Sequence, residues 1–304
     1  MNKPIRIGTR DSQLALWQAN TVAAQLNALG YPTEIIAVKS TGDLVLDKPL
    51  YELGITGIFT KTLDIAMLKG EVDIAVHSMK DVPTALPQGI VQAAVLKRAN
   101  TEDWMVSLTP SDWSAPCTVA TGSLRRKAQW LNRYPHHTVV DLRGNVQTRM
   151  QKLQDNGWQG AVFAAAGLER LEAVPTHYEV LDWMLPAPAQ GAMLVVAMEN
   201  DAYTREALAQ LNHPETALAT QIEREFLRTL EGGCTAPIGA KAFIEGDELV
   251  FEGAVFSLDG TQKAMASGRV KATEATGAGV QWAQEVLASG GTPIMQDIRE
   301  QLTK

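Results

Sequence analysis

Only two cysteines, Cys117 and Cys234, occur in 304 residues, so no disulfide framework holds the fold together and a reducing compartment suits it. Long hydrophobic runs are missing as well. The apolar stretches Gly160 to Leu168 and Gly191 to Met198 fall far short of the roughly 20 residues that span a bilayer. The opening residues Met1 to Gly8 lead straight into mixed polar sequence without the apolar core of a secretory signal, which predicts a cytoplasmic protein. Positive charge is not in excess: the formal net charge is -7, which argues against a general polyanion binder such as a nucleic-acid coat protein and requires any anion site to be local. No grouping of Cys, His, Asp and Glu has metal-ligand spacing. Gly54, Gly57 and Gly144 form neither a Walker loop nor a dinucleotide fingerprint, so neither ATP nor NAD is indicated.

What is present is an ordinary globular composition, 45% hydrophobic and 20% charged, over a length that suits two or three domains. Strand and helix patterns alternate at first. Ile5 to Gly8 predicts a strand, Ser12 to Leu29 a helix with Ala15, Ala19, Val22, Leu26 and Leu29 on one face, and Glu34 to Val38 a second strand. Phe59, Leu63, Ala66 and Met67 mark another helix, after which Asp73 to His77 predicts a strand running into Lys80-Asp81. This order implies a largely parallel sheet. The pattern restarts beyond Arg98-Ala99-Asn100-Thr101: strands at Thr118 to Ala120, Thr138 to Leu142 and Ala161 to Ala165 enclose helices at Leu124 to Tyr134 and Asn145 to Asp155. After Pro214 come a long helix to about Leu230, three strands (Lys241 to Ile244, Glu248 to Ser257, Ala264 to Val270) and helices from about Glu274 and Met295. Strands followed by helices suggest a small α+β domain with an antiparallel sheet.

Open α/β sheets bind ligands outside the carboxyl ends of their strands, where helix N-termini present unpaired N–H groups to anions. Cations gather at those positions here. Arg10, Lys80, Arg125, Arg126 and Arg143 each follow a predicted strand, with Arg149 and Arg170 further along. One such arginine is ordinarily a solvated residue or a weak surface ion pair. Their recurrence at one topological edge points to a ligand with several carboxylates, each charge-assisted hydrogen bond adding roughly 1.5 to 3 kcal/mol.

Four motifs join this pattern: His77-Ser78-Met79-Lys80-Asp81-Val82-Pro83, Thr121-Gly122-Ser123-Leu124-Arg125-Arg126, Leu142-Arg143-Gly144-Asn145-Val146-Gln147-Thr148-Arg149, and Leu230-Glu231-Gly232-Gly233-Cys234-Thr235-Ala236-Pro237-Ile238-Gly239. In the last, two glycines free the backbone before a single thiol. Together the motifs resemble those of hydroxymethylbilane synthase, also called porphobilinogen deaminase, over nearly the whole chain. The resemblance implies two lobes folded like type II periplasmic binding proteins, residues 1–97 with 192–212 and residues 101–187, and a third domain, 214–304, that carries the cofactor cysteine. The lobe crossings then fall near Lys97 to Thr101 and Pro186 to Gly191.

The same resemblance implies a transferase of porphyrin and haem biosynthesis, a monomer with no nucleic-acid or membrane partner. It joins four porphobilinogen molecules in turn to a dipyrromethane cofactor held by a thioether at Cys234, then releases a linear tetrapyrrole by hydrolysis. Matched motif by motif, Lys80, Ser123, Arg125, Arg126, Arg143, Asn145 and Arg149 hold the cofactor and growing chain, while Arg10, Ser12, Phe59, Arg170 and Gln190 lie by the incoming substrate. Asp81 matches the catalytic carboxylate. Losing ammonia leaves the substrate as a cationic methylene-pyrrolenine, which a carboxylate beside the pyrrole nitrogens stabilises. Read without the resemblance, Asp81 is a turn residue, His77 a structural strand-end residue, His136-His137 an exposed loop pair and Cys117 a packing residue.

Three departures from the family pattern stand out: Ile55-Thr56 where glycine and lysine are usual, Gly122 where serine is common, and Pro188-Ala189 where Val-Gly is frequent. A two-lobed organic-anion-binding protein without catalysis is the alternative, though such proteins are normally exported and have no use for a thiol on a third domain.

Overall fold

The computed structural model describes residues 3–38, 60–230 and 236–302. These fall into two compact units, one of residues 3–38, 60–99 and 191–218, the other of residues 100–190, 219–230 and 236–302.

In the first unit β1 (Ile5–Arg10) lies between β2 (Thr33–Val38) and β3 (Ile74–Ser78), parallel to both. Alternation along β1 turns Ile5 and Ile7 toward the helix Gln13–Ala28, whose Ala19, Val22, Ala23 and Leu26 complete one buried core with Ile74 and Val76. Arg6 locks the sheet from the side, its Nε and Nη2 reaching the Asp73 carboxylate at 3.0 and 2.7 Å. Beyond β3 lie β10 (Met193–Met198), antiparallel, and β4 (Ile90–Val95), giving the order β2-β1-β3-β10-β4.

The second unit repeats this plan with different residues. Its sheet runs β7 (Thr138–Val140), β6 (Thr118–Ala120), β8 (Gly160–Ala164), β5 (Asp103–Val106), β9 (Tyr178–Val180), with β6 parallel to both β7 and β8 and with β5 reversed. In each sheet the fourth strand is the reversed one, and in each it is the first strand laid down after the chain changes unit, β5 after residue 99 and β10 after residue 190. The sheets are therefore largely parallel, as the alternation predicts, with one inverted strand apiece that it does not foresee. Strands β4, β5 and β9 carry no period-2 signal. Asp103–Val106 is buried at all four positions and Tyr178–Val180 is exposed at all three, so neither alternates. The apolar run from Gly160 is divided at Ala164, strand before and the helix Ala165–Arg170 after.

The second unit also contains a three-stranded antiparallel sheet, β11 (Ile238–Glu245), β12 (Glu248–Phe256) and β13 (Lys263–Lys271). Phe251 of β12 stacks on Trp282 of the helix Ala278–Val286 and packs against Phe226 of the helix Pro214–Thr229. A small core of Ala128, Leu185, Ala254 and Phe256 joins this sheet to the helix Leu124–Arg133.

Glu223, fully buried, adds a polar tie: its carboxylate accepts from the backbone N–H groups of Ala189 and Ala242, both at 2.6 Å. Ala189 is buried and left-handed, with φ at 63°. Replacing it with glycine removes a left-handed penalty of roughly 1–2 kcal/mol, but adds about 0.5–1 kcal/mol of lost chain entropy and about 0.8 kcal/mol of lost methyl burial. These terms cancel, so Ala189→Gly is expected to melt within about 4 °C of the parent. A larger shift in a calorimetric scan, in either direction, would show that these terms do not cancel at this turn, since glycine keeps the N–H that donates to Glu223.

Candidate functional site

The first unit assembles its polar edge where β1 and β3 end side by side. The register pairs Gly8 with Ala75, which brings Arg10 level with His77. Ser12 caps the helix Gln13–Ala28, its hydroxyl accepting from the Ala15 N–H at 3.3 Å. At the end of β3 the chain tightens into a 3₁₀ turn, Met79–Asp81. Buried Met79 anchors this turn while Lys80 and Asp81 stay half-buried. Gln18 reaches from the helix to the Ser78 hydroxyl at 2.9 Å. Arg10, Ser12, Gln18, His77, Ser78 and Asp81 line one pocket. Of the residues expected at a site, Arg10, Ser12 and Asp81 are thus brought together. His77 lines this pocket too, beyond the structural role expected of it. It is buried, and burial followed by the charge of Arg10 lowers its pKa to about 4, so the imidazole is neutral at neutral pH.

In the second unit two turns at strand ends open helices. After β6, Ser123 caps the helix Leu124–Arg133, accepting from the Arg126 N–H at 3.4 Å. After β7, Asn145 caps the helix Val146–Asn156, accepting from the Thr148 N–H at 2.9 Å. The turns pack closely: a Cβ on Gly122 would lie 2.5 Å from the Leu142 carbonyl oxygen, so glycine at this departure from the family pattern allows the approach. Arg149 folds back to donate from Nε to the Gly144 carbonyl at 2.7 Å, and Lys152 reaches the Arg143 carbonyl at 3.2 Å. Burial lowers the pKa of both Arg143 and Arg170, opposed in each case by a neighbouring carboxylate, Asp141 and Glu169 respectively. Cations drawn out of water in this way favour an anionic ligand.

Arg125 and Arg126, expected to hold the cofactor, turn inward. Both are buried on the carboxylate of Asp103, a fully buried residue of β5: Arg125 Nη1 lies 2.7 Å from Oδ2, and Arg126 Nε and Nη2 lie 3.1 and 2.8 Å from Oδ1. Gln190, expected near the substrate, is also fully buried and donates to Asp103 Oδ1 at 2.9 Å and to the Thr101 carbonyl at 2.8 Å. Two guanidinium groups on one carboxylate leave a positive balance, and Arg125 Nε is buried with no partner. Asp103 carries no motif signal, because it becomes conspicuous only when β5 lies beside β8 and under the helix Leu124–Arg133.

The His136-His137 pair is a correction. His136 is exposed but His137 is buried. Its Nδ1 lies 3.2 Å from Trp130 Nε1 and 3.3 Å from Cys117 Sγ, and its Nε2 lies 3.1 Å from the Trp113 carbonyl. An indole N–H only donates, so Nδ1 accepts and the imidazole proton sits on Nε2. The sequence Tyr134-Pro135-His136-His137 reads as a polar turn, but its last residue joins an aromatic cluster in which nearby Trp130 and Tyr134 meet Trp113 and Trp183 from elsewhere in the chain. Cys117 packs partly buried against that cluster, and burial raises the pKa of its thiol.

Residues 5–206 match the family model described as porphobilinogen deaminase, dipyromethane cofactor binding domain, and residues 217–288 match porphobilinogen deaminase, C-terminal domain. The chain belongs to the porphobilinogen deaminase family. It is 41% identical over 302 residues to the porphobilinogen deaminase of Trichlorobacter lovleyi, covering 97% of each chain. It is 44% identical over 310 residues to that of Desulfitobacterium hafniense, covering 99% of each. Among solved structures, a periplasmic substrate-binding protein from Coxiella burnetii superposes with a TM-score of 0.43 at 14% identity, over 70% of this chain and 94% of that one.

Membership of the porphobilinogen deaminase family places the chain among transferases of porphyrin biosynthesis with a dipyrromethane-binding domain. It does not favour the binding protein without catalysis. Among the described residues no helix is long and apolar enough to cross a membrane. Cys234, Phe59 and the Ile55-Thr56 departure lie outside the described residues.

Proposed function

We propose that the chain is a hydroxymethylbilane synthase, condensing four porphobilinogen molecules in succession onto dipyrromethane joined to Cys234 and releasing a linear tetrapyrrole. The observation that carries this reading is the meeting of Arg10, Ser12 and Asp81 in one pocket at the β1 and β3 ends of a chain matched by both family models. We retain three domains in this proposal, 1–97 with 192–212, 101–187 and 214–304, and a cytoplasmic monomer without nucleic-acid or membrane partners, in keeping with the net charge of -7.

The residues present fit the cofactor. Arg143 and Arg170 are cations with lowered pKa through burial, and the Arg125–Arg126–Asp103 cluster has a surplus positive charge with an orphaned Arg125 Nε, which together suit a polycarboxylate. Lys80, Ser123, Arg125, Arg126, Arg143, Asn145 and Arg149 would hold it. When bound, dipyrromethane supplies the nucleophilic ring carbon onto which the chain grows. Arg10, Ser12, Phe59, Arg170 and Gln190 orient the incoming porphobilinogen, the arginines through its carboxylate arms. Asp81 accepts from the pyrrole N–H and offsets positive charge as ammonia leaves, an interaction stronger in the transition state than in the ground state.

Mass spectrometry tests the attachment. The purified active chain is expected to keep a dipyrromethane mass increment after denaturation, mapping to the peptide that contains Cys234. Unmodified Cys234 in active protein, or the increment on Cys117, would overturn the assignment.

A further inference from the structure

His77 is out of place for a packing residue. It follows Ile74-Ala75-Val76 on β3, all buried, and is only 6% exposed itself, yet its Nε2 is enclosed without any hydrogen-bond partner. An orphaned buried polar group costs about 1–3 kcal/mol, a cost that leucine in the same space would avoid. His77 also lines the pocket shared by Arg10, Ser12, Ser78 and Asp81.

We propose that His77 is a substrate-binding residue, its Nε2–H donating to the carboxylate arm of porphobilinogen that Arg10 neutralises. This rests on the function proposed above. The chemistry of the pocket selects the partner: the positive charge of Arg10 draws an anion to this corner, and a carboxylate only accepts, so the neighbouring imidazole must donate. A neutral donor adds a hydrogen bond without a second positive charge beside a substrate that itself becomes cationic. Asp81 is left for the pyrrole N–H, and the two ends of the substrate are thereby told apart.

The test uses full-length, cofactor-loaded enzyme with His77→Leu and His77→Gln. His77→Leu is expected to melt at or above the parent temperature, because the orphaned nitrogen is gone. Its KM for porphobilinogen should rise about 10- to 100-fold, the loss of one hydrogen bond to a charged group, while kcat stays within about threefold, as expected when binding is uniform between ground and transition states. His77→Gln, whose amide N–H reaches nearly as far as Nε2, should recover most of the KM. A pyrrole analogue lacking the arm in question should lose affinity on the parent but no further on His77→Leu. An unchanged KM in a folded His77→Leu overturns the proposal, as does a fall in melting temperature with no rescue by glutamine, which would make His77 structural. Parent turnover of porphobilinogen in the same assay checks the underlying function separately.

Discussion

Asp81→Asn is expected to lower single-turnover addition of porphobilinogen by two or more orders of magnitude while leaving the fold intact. The fold should survive because Asp81 is half-buried at the end of a short 3₁₀ turn whose packing comes from Met79 and Val82. Asparagine keeps the size and reach of the side chain. What it lacks is the negative charge, and that charge matters most when ammonia departs and the pyrrole carries a positive charge. General acid-base and electrostatic groups contribute roughly 10²–10⁴-fold in such roles. Because building the cofactor uses related chemistry, the measurement should start from protein shown by mass to be loaded. Near-parental turnover by loaded Asp81→Asn would return Asp81 to the status of a turn residue.

Asp103→Asn should have the largest effect on stability. Removing its charge leaves Arg125 and Arg126 buried, with side-chain exposures of 5% and 6%, and without a counter-ion. Breaking a buried ion pair from one side costs about 3–5 kcal/mol, even where the intact pair contributes little net stability, because the remaining charge is neither solvated nor compensated. Here two charges are stranded and Gln190 loses its carboxylate acceptor. A drop in melting temperature on the order of 10 °C follows. It should be measured on cofactor-free protein, since a bound polycarboxylate can replace the missing charge. A loss below about 1 kcal/mol would mean that water reaches these arginines and that Asp103 does not organise them.

Much of the fold was legible because it depends on local periodicity. The stripe from Ala15 to Leu26 and the cap at Ser12 need only neighbouring residues to specify the helix Gln13–Ala28, and the same holds for Ser123 and Asn145. The glycine-flanked Cys234 and the cations after strands were equally visible, since a motif is short and its chemistry is carried by residue type. Identity of the family was therefore within reach of the sequence alone.

Only the tertiary structure decided how those residues are used. Arg125 and Arg126 share buried Asp103, a partner more than twenty positions away. His137 leaves its exposed neighbour for an aromatic cluster, and His77 stands with an unpartnered nitrogen beside Arg10 and Asp81. The inverted strands β5 and β10 likewise depend on where the chain changes unit. The physical reason is common to all of them: desolvation and hydrogen-bond satisfaction are properties of a surrounding volume, and residues distant in the chain fill that volume only once the sheets have formed.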